Sequence, residues 1–141
     1  MILESAQILC TVLWQNGVEA PYKKTHINHP CIVWAGESLA NWQWLKSLAQ
    51  ELNSEYQYRF NKKTPHKSFE VIMTLPEPDI CDRGLTKLPL VMPQIYYDAD
   101  PIEAYRSYYI HEKTHIAKWT KRKTPKWFVN KNPLAIRVEA T

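Results

Sequence analysis

The sequence predicts an all-α fold: one compact domain over residues 1–141, of about four helices, with a long Pro-rich connection and a basic, aromatic C-terminal tail. Three observations carry this. Apolar residues recur at three- and four-residue steps through 1–15, 38–58 and 101–119, the spacing that lines one helical face. Helix stop and start signals bracket those stretches. Strand-like runs are missing apart from one short stretch at 134–138. The length suits one domain and lets the chain bury about two thirds of its unfolded surface.

The first helix is expected over 1–15, with Ile2, Ala6, Leu9 and Leu13 inward and Asn16-Gly17 as its stop. Its pattern is already running at residue 1, with no N-cap, so the helix is expected to begin further upstream in a longer form. Residues 21–30 read as a loop, in which Asn28-His29-Pro30 resembles a helix start with Pro in the first turn. A short apolar turn at 31–34 follows, interrupted at Gly36. Ser38 can cap a long helix to Tyr58, with Leu39, Trp42, Leu45, Ala49, Leu52 and Tyr56 as its core stripe. Trp44 lies off that stripe beside Leu48, which implies a second packing partner. A third helix follows Thr64-Pro65, with Phe69, Ile72 and Met73 inward and Pro76 at its end. Residues 76–100, with Pro76, Pro78, Pro89 and Pro93, read as an ordered irregular connection, a length that is often functional. Asp100-Pro101-Ile102-Glu103 combines a cap, Pro at the first position and Glu at the third. The helix it starts is expected to reach about Trp119.

Composition narrows the function classes. The apolar content of 45% is that of a globular chain. No apolar run approaches the ~20 residues of a membrane span, and the amphipathic pattern starts at once, where a signal peptide would lie. Cys10, Cys31 and Cys81 are odd in number and lack a CxxC spacing, which points to free thiols in a reducing cytosol. The net charge of +4 hides an asymmetry: from 113 to 137 every charged residue is basic, whereas acids gather at 77–82 and 98–103. A one-sided basic face suits a polyanion, nucleic acid foremost; a solvated tail is the alternative.

Within that tail, Lys118, Lys121, Arg122, Lys123 and Lys126 interleave with Trp119, Trp127 and Phe128. Cations neutralise phosphates while aromatic faces accept unstacked bases; alternatively both tryptophans are core. Arg59, Lys62, Lys63 and Lys67 make a second basic cluster. His111-Glu112-Lys113-Thr114-His115 matches HExxH, the zinc-hydrolase pattern with two imidazoles on one helical face. Lys113 beside the cation, an inward Glu112 and the lack of a nearby third ligand weigh against it, so His111 and His115 are also read as surface or packing residues. His26, His29 and Cys31 show HxxH and HxC spacings, but a structural zinc site needs four ligands. A helix start at His29-Pro30 with a small buried Cys31 is one reading. The other is a loop that contacts phosphate or a base, beside Lys23 and Lys24. Glu4, on the first helix among apolar residues, is a candidate general acid or base or a solvent-facing helix residue.

The segments MILESAQILCTVL, THINHPCIVWAGESLANWQWL and DPIEAYRSYYIHEKTHIAKWTKRKTPKWF together resemble a family of phage and environmental proteins of unassigned activity. Its members usually carry further residues before the MILE segment. More remotely, the layout is similar to the pyrimidine-dimer DNA glycosylase family, of the phage endonuclease V type. Those proteins are compact, basic and all-α, with a catalytic Glu on the first helix and a middle Asn-His-Pro before a long helix. The resemblance implies Glu4 as the catalytic carboxylate, His26 and His29 beside it, and Tyr58-Arg59-Phe60 with Lys62 closing the helix. It implies glycosidic cleavage by an amino-terminal amine through an imine, on a flipped-out base, without a cofactor. The family's Arg before the Glu is Leu3 here, and its amine lies well upstream of the Glu. Activity is therefore expected to need an amino-terminal segment beyond these residues. The expected partner is DNA, the expected location the cytoplasm of a bacterial or phage-infected cell. A non-catalytic nucleic-acid-binding module and a zinc hydrolase are the alternatives.

Overall fold

The computed structural model describes residues 1–129, so the strand-like stretch at 134–138 and the end of the basic tail lie outside the described residues. Among the described residues the chain is all α-helical: six helices, one 3-10 turn at Gln94–Tyr96, and no strand. Contacts group the residues into two units, Met1–Pro89 and a second that starts at Leu90.

In the first unit, α1 (Ile2–Gln15) turns Ile2, Ala6, Leu9, Cys10 and Leu13 inward, all buried. Its last turn is closed by Asn16, whose Nδ2 donates to the Val12 carbonyl at 2.8 Å. Gly17 follows at φ +78°, a conformation that costs a residue without Cβ little. α2 (Pro30–Glu37) begins as expected: His29 is its N-cap and Pro30 its first residue. Instead of stopping at Gly36, the helix continues to Glu37. Burial of Ile32, Trp34 and Ala35 offsets the ~1 kcal/mol that glycine costs in a helix. A Cβ at Gly36 would meet only the Val12 side chain, at 3.9 Å.

α3 (Leu39–Arg59) ends one residue beyond the expected Tyr58. Trp42, Leu45 and Ala49 are buried along its stripe, and Trp42 also donates from Nε1 to the Leu9 carbonyl at 3.3 Å. Because Leu9 meets Trp42 while the start of α1 meets residues 52–60, α1 and α3 run antiparallel. Trp44 does have its second partner: its ring stands edge-on to Trp34 of α2, centroids 5.7 Å apart. α4 (Lys67–Thr74) buries Phe69 and Ile72, but Met73 is 61% exposed. The expectation that Met73 points inward was wrong, because a step of one residue rotates it about 100° from Ile72; Leu75, just past the helix, takes the inward place.

Residues 76–89 hold no regular structure and are tied down by polar groups, as an ordered connection should be. Leu39 N donates to the Cys81 carbonyl at 3.1 Å and Arg83 N to Ser38 Oγ at 2.9 Å. Asn41, fully buried, holds Thr86 at both its amide and its hydroxyl.

In the second unit, α5 (Pro101–Glu112) starts on Asp100, whose Oδ1 accepts from Ile102 N at 3.0 Å. It stops at Glu112, not near Trp119. Thr114 Oγ1 bonds back to the Ile110 carbonyl at 2.7 Å, and the chain turns through residues 113–116. A four-residue helix, α6 (Lys126–Val129), carries Phe128 onto Ile110, with Ala117, Trp119 and Trp127 around them. No described helix is long and apolar enough to cross a membrane.

Candidate functional site

The antiparallel packing of α1 on α3 opens a cleft of about 480 Å³ in the first unit, where the start of α1 meets the end of α3. Met1, Glu4, Tyr56, Arg59, Phe60 and His66 are among its lining residues. Glu4 sits on the exposed side of the first turn of α1, since Ile2, Ser5 and Ala6 take the buried positions. Its Oε2 lies 2.7 Å from the α-amine of Met1. That hydrogen bond, followed by one to its own backbone amide, lowers the Glu4 pKa below the ordinary 4.5, and His66 adds a smaller electrostatic pull. The carboxylate is therefore ionised at neutral pH.

The opposite wall is the last turn of α3. Arg59 Nε pairs with Glu55 Oε2 at 2.7 Å, one helical turn back. Tyr56 stands edge-on to His66, with centroids 5.2 Å apart, and at 52° to Phe60, 6.3 Å away. His66 is anchored twice. Its backbone N–H donates to the buried Asn53 at 2.8 Å, and its Nδ1 accepts from Ser68 N at 3.0 Å, which caps α4. Lys62 and Lys63 lie along the chain between Phe60 and α4, and Lys67 is the first residue of α4; all three are exposed.

His26 and His29, expected beside Glu4, do not line this cleft. Their loop is fixed to the middle of α1, where Thr25 N donates to Thr11 Oγ1 at 3.2 Å, about 10 Å along the helix from Glu4 at 1.5 Å per residue. His26 takes φ +47° in the turn, and His29 uses Nδ1 to cap α2 through Cys31 N at 3.1 Å. Lys23 and Lys24 are exposed in the same loop, and Cys31 is half-buried.

In the second unit Lys118, Lys121, Arg122, Lys123 and Lys126 are all exposed. Their aromatic neighbours are packed on one another: Trp119 lies 4.9 Å from Phe128 and 6.4 Å from Trp127. Arg106 covers the Trp127 ring at 5.4 Å while pairing with Glu103. These rings are chiefly the small core of the unit. The HExxH segment lacks the geometry that its pattern demands. His111 is in the last turn of α5 and stacks on Tyr96 at 5.9 Å, whereas His115 lies past the helix end, so the two imidazoles do not share a helical face. Among the described residues no three His, Cys, Asp or Glu side chains are grouped to hold a metal ion.

Sequence reasoning found Glu4, Arg59 and Phe60 but not their neighbour His66. A signal for it exists. Pro65-His66-Lys67-Ser68 precedes a helix as Asn28-His29-Pro30-Cys31 does, and in both the imidazole caps the amide two residues on. No protein-family model matches the chain, and neither does any curated protein or solved structure.

Proposed function

We propose that this chain acts on DNA as a glycosylase or abasic-site lyase, with Glu4 as the working carboxylate of the cleft. The supporting observation is the grouping of the ionised Glu4 carboxylate with Arg59 and the rings of Tyr56 and Phe60 in one open cleft. An amine condenses with the C1′ aldehyde of an abasic site, loses water and forms an imine. The imine acidifies the C2′ hydrogen; a carboxylate takes that proton and the 3′ phosphate leaves. A Glu4 held ionised suits the proton-accepting role in this sequence better than the donating one. Exposed Lys62, Lys63 and Lys67 supply cations for the flanking phosphates. His26 and His29 are left as loop and capping residues.

The test is borohydride trapping on abasic DNA, with mass mapping of the adduct to the Met1 amine or to a lysine. Glu4→Gln is expected to slow trapped-product turnover and strand scission by roughly 10²–10⁴-fold, the span of a positioned general base. No adduct with the natural chain, or unaltered scission in Glu4→Gln, refutes the proposal.

One observation favours a second reading, a non-catalytic nucleic-acid-binding module. Five exposed cations of 118–126 alternate along the chain with rings that are packed together, a pattern suited to phosphate contacts without base readout. It predicts salt-dependent binding, with the log–log slope on single strands reduced by about 2 when Lys121, Arg122 and Lys123 are neutralised, at ~0.7 per phosphate contact. Salt-independent binding would count against it.

A further inference from the structure

The end of α3 carries an aromatic that the fold holds outward. Phe60 is 57% exposed at the helix C-cap. A side chain of that kind gains by leaving water, so a flat apolar partner laid on the ring would be held in part by its burial. The backbone around it is pinned: Asn61 takes the left-handed φ of +52°, Lys62 N donates to the Gln57 carbonyl at 3.0 Å, and Gln57 Nε2 returns a bond to the Lys62 carbonyl at 3.4 Å. The tip is thus closed on itself in both directions. Phe60 lies at 52° to Tyr56, so their rings do not consume each other's faces in parallel stacking. Arg59 lines the cleft with it, the exposed Lys62 and Lys63 follow it closely along the chain, and two acids of the cleft, Glu4 and Glu55, are each already paired.

An open aromatic face on a rigid turn, bordered by cations, matches the chemistry of single-stranded nucleic acid. The base offers a π face and the phosphates offer charge. The cleft behind the ring, about 480 Å³, falls in the ~300–1,000 Å³ range of sites that enclose small organic groups. We propose that Phe60 is the stacking platform for an unpaired base, with Lys62 and Lys63 on the adjoining phosphates, so that the cleft selects unstacked over duplex nucleic acid. This rests on the reading that the cleft receives nucleic acid, and it names the form in which the substrate arrives.

The test is fluorescence of a single-stranded oligonucleotide carrying one 2-aminopurine, titrated with the full chain beside a duplex of the same sequence. Quenching on the single strand is expected, with weaker binding to the duplex. Phe60→Ala is expected to weaken single-strand binding roughly 5- to 150-fold, the cost of losing one base–aromatic stack, and Phe60→Trp to restore it. Lys62→Glu with Lys63→Glu should weaken binding while leaving residual quenching at low salt. Equal affinity for duplex and single strand with no loss in Phe60→Ala overturns the inference. So does competition by polyglutamate as effective as the oligonucleotide, which would mark a surface for acidic protein. The borohydride assay separates the two claims: trapping without quenching refutes the stacking platform alone, and quenching without trapping refutes the lyase chemistry alone.

Discussion

Replacing Asn41 by Ala tests how the irregular segment 76–89 is held against the helices. Asn41 is fully buried at the start of α3 and makes three hydrogen bonds: Nδ2 to the Trp34 carbonyl and to Thr86 Oγ1, both at 2.8 Å, and Oδ1 from Thr86 N at 2.9 Å. Each is worth about 0.5–1.5 kcal/mol net, so their loss costs about 1.5–4.5 kcal/mol, with more if the Thr86 amide stays dry and unpaired. Thr86 is only partly buried, so water can reach part of what is left, and the expected fall is about 3 kcal/mol. Urea unfolding gives the stability difference, and hydrogen exchange at the Thr86 amide shows whether the segment detaches locally first. Asn41→Ala should shift the urea midpoint with little change in slope and strip protection from Thr86. A loss below about 1 kcal/mol with Thr86 still protected would refute the view that Asn41 fastens this segment.

Two further outcomes are expected. Thiol reagents should modify Cys81, which is exposed, well before Cys10, which is buried. Burial also pushes the Cys10 and Cys31 thiols up, keeping them protonated and slow; mass mapping after brief labelling checks the order, and early Cys10 labelling would contradict the packing of α1. The carboxyl of Glu4 should titrate below 4.5 in an NMR pH series. A depressed carboxylate stabilises the fold above its unfolded pKa, and that contribution is lost as pH falls through the folded value. The side chain is 66% exposed, so solvent screens the effect and the change in acid stability between the natural chain and Glu4→Gln should be small. Acetylating the Met1 amine should move the Glu4 midpoint back toward 4.5; an unmoved midpoint would mean that the amine is not its partner.

The position of Glu4 in a cleft has consequences for how function is sought in this chain. The histidines expected beside it, His26 and His29, serve a turn and a helix cap. The imidazole at the cleft is His66, sixty-two residues from Glu4 in the chain. Mutagenesis aimed at His29 would therefore disturb the start of α2, and through it the packing of Trp34, before it reported on chemistry. His66 has a comparable double role, because its Nδ1 caps α4 while its ring meets Tyr56.

Local physics made much of the fold legible. Period and capping chemistry located α1, the long α3, α4 and the start of α5, because apolar spacing and a first-turn Asp-Pro or His-Pro act within a few residues of where they are read. Glu4 and Arg59 stood out as a helix carboxylate and a member of a basic cluster, and Phe60 only through the resemblance. Tertiary contacts decided the rest. Whether α2 would run through Gly36 depended on what Trp34 and Ala35 could be buried against. Where α5 stopped depended on Thr114 bonding back to Ile110, which moved His115 off the helix and removed the HExxH geometry. And which imidazole would share the cleft with Glu4 depended on α1 and α3 lying antiparallel, a pairing of residues more than thirty apart that spacing along the chain cannot encode.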